Sequence, residues 1–223
     1  MAKAKVPKLR WEPLHEQTYR ELRSAIMTAR FAPGEQLTVR TVAAAFGVSP
    51  MPVRAAFSRL VAERALVQNP NGTINVPNIS SDTLEEIIRF RVLLEGIATE
   101  RAATKITKEE LKNLESLARA LAKASERENY AGYPELNQKF KFTIYKAADS
   151  PILLDLIERL WLQIGPFMSH YGKDSRLRQA KNDRHEAVYE ALCERDGATA
   201  RREIEQDIAD GGAFLREVAG FDS

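Results

Sequence analysis

The stretch SPMPVRAAFSRL, residues 49–60, has two prolines among its first four residues and still has the residue spacing of a helix. Its apolar residues share one helical face: Val53, Ala56, Phe57 and Leu60. Ser49 is a good N-cap residue, which puts Pro50 at the first helical position and Pro52 at the third. Amides in a first turn have no intrahelical acceptor, so these prolines fix where the helix begins without breaking it. We expect the Ser49 hydroxyl to accept a hydrogen bond from the Met51 amide.

The segments around this helix predict a winged helix-turn-helix. Apolar residues at helical spacing indicate one helix over residues 13–28 and a second, shorter one over residues 39–46. In LVQNPNGTINV, residues 66–76, the pair Asn71-Gly72 lies between two β-prone runs and predicts a hairpin with a type I′ turn. Helix, helix, turn, helix and a two-stranded ribbon is the element order of a winged helix-turn-helix.

The charge is divided unevenly along the 223 residues. Residues 1–78 hold 11 lysines and arginines against 5 acidic residues, whereas the remainder has a net charge of −4 and the whole chain +2. This asymmetry indicates two domains with different partners. We expect a flexible basic tail over residues 1–12, the winged helix-turn-helix over 13–78 and a second domain over 79–223.

The composition narrows the class of protein. Hydrophobic residues make up 44% of the chain, and no uninterrupted apolar run approaches the roughly 20 residues that cross a bilayer. The basic amino terminus has no apolar stretch after it, so we expect no secretory signal, no membrane contact and a cytoplasmic location. Cys193 is the sole cysteine, which excludes an intramolecular disulfide. We expect its thiol to be buried among apolar residues.

After residue 80 the pattern is helical throughout, without strand alternation or repeats. The pattern predicts six helices, near residues 82–103, 107–128, 131–147, 151–170, 176–195 and 198–218. The predicted fold class is therefore mainly α, an N-terminal winged helix-turn-helix followed by an antiparallel all-α bundle.

The stretch APGEQLTVRTVAAAFGVSPMPVRAAFSRLVAERALV, residues 32–67, resembles the DNA-binding domain of GntR-type bacterial transcription regulators. Members of that family carry P-G-x-x-L, a helix, G-V-S-x-x-P-V-R-x-A and a wing, and the resemblance extends over roughly residues 14–77. Two positions depart from the family pattern. Pro50 stands where many relatives have arginine, and Ala65 stands where they usually have glycine, which would cost about 1 kcal/mol if that residue were left-handed.

The resemblance implies that the helix beginning at Ser49 enters the major groove of DNA. Arg54 and Arg40 match family arginines, and arginine suits either a guanine edge or a phosphate. Arg59 is included in the set, although an isolated helical arginine is more often a solvated charge. The predicted DNA-binding residues, including the helix N-terminus and the wing tip, are Arg40, Ser49, Met51, Arg54, Arg59, Asn71 and Gly72.

The second domain resembles the FCD effector-binding domain of FadR-like GntR regulators, which is also expected to hold the dimer together. The resemblance rests on FRVLLEGIATERAA, residues 90–103, and HEAVYEALCERDGATA, residues 185–200. Many FCD domains bind a divalent metal through one aspartate and three histidines. The matching positions here are Asn137, Lys141, His185 and Asp207. An amide is a weak ligand and an ammonium repels a cation, so we predict no metal and no other cofactor.

Charged residues on stripes that should face the bundle core leave two interpretations open. Lys141–Asp207 and Arg91–Glu95 either form ion pairs that plug the core, or Lys141 with Arg91 offers positive charge directly to an anionic, carboxylate-type effector. The candidate effector-binding residues are Arg91, Asn137, Lys141, His185 and Asp207.

The function expected from these features is a ligand-responsive transcription regulator, most simply a repressor. The resemblance further implies a homodimer on a pseudo-palindromic double-stranded operator. A constitutive or architectural DNA-binding dimer with an inert, self-paired bundle is the alternative. An enzyme is not expected, because paired carboxylates, a nucleophile–base pattern and a phosphate-cradling glycine loop are all missing from the sequence.

Overall fold

The computed structural model describes residues 13–126, 132–173 and 175–218, so the tail predicted over residues 1–12 lies outside the described residues. The first third contains three helices, α1 (Leu14–Met27), α2 (Val39–Phe46) and α3 (Pro50–Ala62). Helix α1 packs against α3, and the core between them is fully buried at Leu22, Ile26, Val53 and Leu60. The predicted helix-turn-helix is therefore present.

Helix α3 begins where the two prolines predict. Ser49 has the extended backbone of an N-cap residue, with φ −71° and ψ 163°, and Pro50 opens the helix. The Ser49 side chain makes no capping hydrogen bond, so the predicted bond from the Met51 amide is wrong. An N-cap side chain usually accepts from the second or third helical amide, and Pro52 has removed the third. The pinned φ of the prolines fixes this start without the cap.

The wing is a three-stranded antiparallel sheet in the order β1-β3-β2, whereas the sequence predicted two strands. Strands β2 (Val67–Gln68) and β3 (Ile74–Asn75) form the hairpin, and β1 (Gln36–Leu37) pairs with the other edge of β3. The turn after α1 brings β1 there: the Gly34 amide donates to the Val76 carbonyl at 3.0 Å.

The predicted type I′ turn at the wing tip is wrong. The Gly72 amide donates to the Asn69 carbonyl at 2.8 Å, and the Asn69 amide donates to the Thr73 carbonyl at 2.9 Å. Gly72 has a φ of +82°, but Asn71 has no positive φ. The loop is a type I turn with Pro70 at its second position, closed by a left-handed glycine. Proline fixes a negative φ, which shifts the turn one residue back from Asn71-Gly72.

The left-handed residue after α3 is Arg64, with a φ of +60°, and not Ala65. The Ala65 amide donates to the Leu60 carbonyl at 2.9 Å, and the Ala65 side chain is fully buried. The left-handed conformation and its steric cost therefore belong to Arg64, which is exposed, and not to Ala65.

The rest of the described chain is the predicted helical bundle. Its helices are α4 (Ser81–Lys105), α5 (Lys108–Glu126), α6 (Tyr133–Ala147), α7 (Pro151–Ile164), α8 (Ser175–Cys193) and α9 (Gly197–Val218). Helix α9 packs against both α4 and α8, and α5 packs against α6 and α8. Close approach of α4 and α9 depends on Gly212, where a Cβ atom would lie 2.8 Å from Ile88.

Two expectations for the bundle are wrong. The helix predicted to continue to residue 170 ends at Ile164, and the chain goes on as a 3₁₀ segment, Gly165–Lys173. Cys193 is exposed and not buried, because it is the last residue of α8 and points away from the core. Across residues 13–126, 132–173 and 175–218, no helix is long and apolar enough to span a bilayer.

The two domains touch along α1. The Arg23 guanidinium lies 2.5 Å from the Glu158 carboxylate on α7, and a Cβ atom at Gly165 would lie 2.6 Å from the Ile26 carbonyl oxygen. Only a glycine allows the end of α1 to approach the start of the 3₁₀ segment this closely. This junction sets the position of the winged domain on the bundle.

Candidate nucleic-acid interface and effector site

Helix α3 has one face in the core and the other in solvent. Met51 is 73% exposed, and Arg54 is exposed on the same side. Arg40, on α2, is exposed as well. Within the described chain, neither arginine makes an ion pair or a hydrogen bond. Both guanidinium groups are therefore available to an external anion or base edge, as are the exposed Ser49 and its uncommitted hydroxyl.

Arg59 is held by the protein itself. Its guanidinium lies 3.7 Å from the centre of the Tyr19 ring and contacts Glu63 and Glu16, each at 3.3 Å. The Tyr19 hydroxyl donates to Glu63 at 2.6 Å, and burial together with this bond raises the pKa of Tyr19 to about 12. Arg59 therefore ties α3 to α1, and we leave it out of the proposed DNA-contacting set.

The wing tip is exposed at both Asn71 and Gly72. The Asn71 side-chain oxygen accepts from the Thr73 amide at 3.1 Å and from the Thr73 hydroxyl at 2.7 Å. These bonds fix the tip and leave the amide nitrogen of Asn71 as its outward donor.

A second candidate site lies inside the bundle, where side chains from four helices meet. Each of these polar or charged side chains is at least 97% buried: Arg91, Glu95, Asn137, Lys141, Lys181, His185 and Asp207. The structure brings together every effector-binding candidate named from the sequence. Lys181 was missed, although it precedes His185 by four residues on α8 and so shares its face.

Asp207 is the centre of one half of this buried polar cluster. The Lys141 ammonium nitrogen lies 2.5 Å from one carboxylate oxygen of Asp207, and the Lys181 nitrogen lies 3.0 Å from the other. Lys181 also donates to the Asp207 carbonyl at 3.1 Å. Burial alone would raise the pKa of Asp207, but Lys141 and Lys181 outweigh it and hold that pKa far below its usual range.

His185 stands beside this pair in its neutral form. Its Nε2 atom is 3.9 Å from Asp207, and its ring packs against Phe140 at a tilt of 46°, with 4.7 Å between centres. Burial lowers the pKa of His185 to about 3, and the nearby ammonium of Lys141 acts in the same direction. Among the described residues, neither ring nitrogen has a hydrogen-bond partner, which is costly for a buried polar group.

Glu95 organises the other half. It accepts from Arg91 Nε at 2.6 Å, from Trp161 Nε1 at 3.1 Å and from the Tyr145 hydroxyl. Burial works against the charged form of Arg91, but Glu95 raises the pKa of the guanidinium overall. The guanidinium lies 5.0 Å from the Trp161 ring, and its Nη1 atom has no hydrogen-bond partner in the part of the chain that the structure describes.

The cluster holds more buried cations than carboxylates: Arg91, Lys141 and Lys181 against Glu95 and Asp207. Since His185 is neutral, one positive charge has no counterpart within the cluster. Burial lowers the pKa of Lys141, which Asp207 opposes, so keeping this ammonium charged is costly. An anion placed beside it would offset that cost.

The donor set does not fit a divalent metal. Both carboxylate oxygens of Asp207 are occupied by ammonium groups, at 2.5 and 3.0 Å, and Asn137 supplies only a neutral amide. No group of three or more His, Cys, Asp or Glu residues that could hold a metal ion occurs in the described parts of the chain. The two lysines supply positive charge where many FCD relatives are expected to hold a metal.

His185 gives the cluster a measurable pH dependence. The pKa of His185 is about 3 in the folded protein and 6.5 in the unfolded chain. Between these two pH values the imidazole therefore takes up a proton when the protein unfolds. Stability from this group is complete above pH 6.5 and is lost as pH falls toward 3. We expect His185→Phe to reduce the slope of unfolding free energy against pH by up to about 1.4 kcal/mol per unit.

Urea unfolding between about pH 5 and pH 6.5 measures that slope. His15→Phe is the matched control, because the His15 side chain is 58% exposed and has no part in the cluster. A His185→Phe slope equal to that of the unmodified protein would contradict the assignment of a neutral, buried imidazole.

Comparison with known proteins supports the fold class, an N-terminal DNA-binding domain followed by a helical domain. The family of bacterial regulatory proteins called gntR matches residues 14–76, and the FCD domain matches residues 86–210, more than half of the chain. The transcriptional regulator McbR of Escherichia coli K12 is 32% identical over 74% of each chain, and the repressor RspR of the same organism is 30% identical over 93% of this chain and 91% of its own.

A solved structure of E. coli McbR/YncC superimposes with a TM-score of 0.87 at 27% identity, over 94% of this chain and 100% of that one. The matched families and curated relatives are transcriptional regulators and not enzymes. The fold, the exposed arginines of a winged helix-turn-helix and these matches lead to one conclusion. The chain belongs to the GntR family of DNA-binding bacterial transcription regulators and carries a C-terminal FCD domain.

Proposed function

We propose that this protein is a homodimeric repressor that binds a pseudo-palindromic operator in the cytoplasm and responds to a small anionic metabolite without a metal. The observation that carries the proposal is the buried polar cluster, in which two lysines share one aspartate beneath a DNA-binding domain. The relative RspR is called a repressor, which supports the sign of regulation.

DNA recognition is assigned to α3 and the residues around it. Arg54 faces a base edge in the major groove and Arg40 faces the backbone or an adjacent base. The open helix N-terminus at Ser49 and the Met51 amide suits a phosphate, since first-turn amides point outward there. The wing tip at Asn71 and Gly72 approaches the neighbouring minor groove.

The second copy is assigned to an apolar stripe on α4. Phe90, Leu93 and Ile97 are spaced three and four residues apart and are 48%, 51% and 38% exposed. Exposed carboxylates lie near the start of α4 at Asp82, Glu85 and Glu86, and exposed cations lie near its end at Arg101 and Lys105. Antiparallel packing of α4 on its own copy would bury the stripe and bring opposite charges together.

The effector is assigned to the cluster because its surplus charge and unpaired polar atoms suit a carboxylate. Four buried polar atoms lack hydrogen-bond partners within residues 13–126, 132–173 and 175–218: Arg91 Nη1, Asn137 Oδ1 and both His185 ring nitrogens. A carboxylate that displaces Asp207 from Lys141 or Lys181 would gain charge-assisted bonds in a dry environment. The metabolite is thus recognised directly by ammonium groups.

Helices α6 and α7 connect the cluster to the winged domain. Lys141 lies on α6, whose Gln138 amide contacts the Met27 sulfur on α1 at 3.3 Å. Trp161, which donates to Glu95, lies on α7 with Glu158, the partner of Arg23 on α1. A shift of either helix on effector binding therefore moves α1. Coupling of about 1–3 kcal/mol to operator affinity is typical of such linkage.

A constitutive DNA-binding dimer is the second candidate. It is favoured by the pairing of Glu95 and Asp207, each of which already has at least two partners inside the bundle. In that case the cluster is a self-paired plug, and no metabolite changes operator affinity.

Removing the Arg54 guanidinium should weaken operator binding. We expect Arg54→Ala to raise the dissociation constant about 10- to 100-fold, because each base-edge contact contributes roughly 1–3 kcal/mol. The measurement is fluorescence anisotropy at fixed salt, on a duplex selected from random sequences with the unmodified protein. Arg59→Ala is the control, with binding expected within about threefold once its folded fraction is known. Equal losses in both variants would count against the assigned face of α3.

A charge in the α4 stripe should prevent dimerisation. We expect Leu93→Asp to be monomeric in sedimentation equilibrium at concentrations where the unmodified protein is a dimer, because pairing would bury an unpaired carboxylate. Ile152→Asp is the control, since Ile152 is 79% exposed but lies on α7, away from the stripe. A monomeric unmodified protein, or a dimeric Leu93→Asp variant, would refute this interface.

Two cluster variants should change anion binding in opposite directions. Calorimetric titration of a panel of small mono- and dicarboxylates first identifies the tightest binder. We expect Lys141→Met to raise its dissociation constant at least about tenfold, because a charge-assisted bond is lost. Asp207→Asn should lower that constant, because both lysines lose their internal competitor.

Lys123→Met, on the exposed side of α5, is the control for the loss of a lysine charge. Circular dichroism verifies that each variant is folded. If no carboxylate binds the unmodified protein, the constitutive dimer is the correct reading. Unchanged binding in both Lys141→Met and Asp207→Asn would place any effector elsewhere.

A further inference from the structure

Met51 is a large apolar side chain on the solvent face of the helix assigned to the major groove. It is 73% exposed, whereas the other exposed large apolar side chains of the winged domain are at most 42% exposed. Single apolar residues on a protein surface are common and have no meaning by themselves. Met51 differs from the others in where it lies on α3 and in which residues surround it.

Met51 lies opposite the buried side of α3. At about 100° per residue, the core residues Val53 and Leu60 point about 180° away from it. Ala55 and Ser58 are exposed and lie within about 40° of Met51 around the helix axis. Their short side chains allow base edges to come close to the helix, so the longer side chain of Met51 reaches them first.

The charged side chains of α3 lie on either side of this outward ridge. Arg54 lies about 60° to one side, and within the described chain it makes no ion pair or hydrogen bond. Arg59 lies about 80° to the other side and is held 3.7 Å from the Tyr19 ring and 3.3 Å from Glu63. The centre of the outward face is therefore uncharged, which suits an apolar contact and not a phosphate.

Two prolines hold the backbone on both sides of Met51. Pro50 and Pro52 flank it in the first turn of α3, and each ring fixes φ at about −65°. A rigid backbone presents the side chain from a fixed point, so less conformational entropy is lost when Met51 makes a contact. The Met51 amide points along the helix axis and its side chain points away from the axis, so one can contact a phosphate and the other a base.

An apolar group in the major groove has one specific partner among the base edges. Adenine, guanine and cytosine present hydrogen-bond donors and acceptors there, and only thymine adds a methyl group, at C5. Burying that methyl group against an apolar side chain changes a dissociation constant about three- to tenfold. Methionine is unbranched and adaptable, so its terminal methyl group can pack on the thymine methyl.

We infer that Met51 is a specificity-determining residue that selects thymine in the operator through the thymine 5-methyl group. The inference rests on the proposed placement of α3 in the major groove. Arg54 follows Met51 by three residues, a rise of about 4.5 Å along the helix, and successive base pairs are about 3.4 Å apart. The selected thymine therefore lies within about two base pairs of the base that Arg54 contacts.

Replacing thymine by uracil tests the inference, because uracil lacks only the methyl group. The measurement is fluorescence anisotropy at fixed salt on the duplex selected from random sequences, with one thymine replaced at a time. We expect uracil at the selected position to raise the dissociation constant of the unmodified protein about three- to tenfold. In Met51→Ala the same replacement should change the constant less than about twofold, because the partner of the methyl group is gone.

Two further variants serve as controls. Ile152 is 79% exposed but lies on α7, outside the winged domain, so Ile152→Ala should keep the full discrimination against uracil. Met51→Leu retains an apolar side chain and should keep most of it.

Two results would overturn the inference while DNA binding stands. Either no uracil replacement weakens binding by the unmodified protein, or the loss is as large in Met51→Ala as in the unmodified protein. The second result would assign the thymine methyl group to another residue. A failure of the proposed DNA-binding face is visible separately: Arg54→Ala would then bind the selected duplex as tightly as the unmodified protein, which would overturn both.

Discussion

The pairing of Asp207 with two lysines organises the interior of the bundle. A carboxylate that is 99% buried needs compensation, and the ammonium groups of Lys141 and Lys181 supply it from two different helices. This pairing links α6 and α8 to α9 through buried ion pairs, in addition to the apolar packing of the bundle. It also excludes a cation from the place where the FCD resemblance implies one. We propose that a site built this way recognises anions by direct contact.

The same helices that carry the cluster support the winged domain. Helix α6 presents Lys141 inward and Gln138 toward α1, and α7 presents Trp161 inward and Glu158 toward Arg23. Gly165 lets the end of α1 sit directly on the following 3₁₀ segment. The winged domain therefore packs on the same helices that carry the buried charges, although no residue belongs to both the DNA-binding face and the buried polar cluster. Linkage between the two sites needs only small movements of α6 or α7.

The sequence predicts the features of the fold that neighbouring residues determine. The two prolines fixed the start of α3, and helical spacing found the bundle and placed five polar residues on inward faces. The predicted type I′ turn is wrong because the fixed negative φ of Pro70 outweighs the turn preference of Asn71-Gly72. Contacts between distant segments could not be predicted in this way. The hydrogen bonds from Trp161 and Tyr145 to Glu95 span 66 and 50 residues, and no spacing rule links such positions. Lys181 could have been found, since it lies one helical turn before His185.

A crystal structure with the tightest-binding carboxylate would show whether the buried lysines bind the anion themselves. We expect carboxylate oxygens of the ligand within hydrogen-bonding distance of the Lys141 and Lys181 ammonium groups, no metal between them, and Asp207 displaced from at least one lysine. A metal ion bridging the ligand to Asp207 and His185 would contradict this expectation. So would a ligand bound elsewhere while Asp207 keeps both lysines.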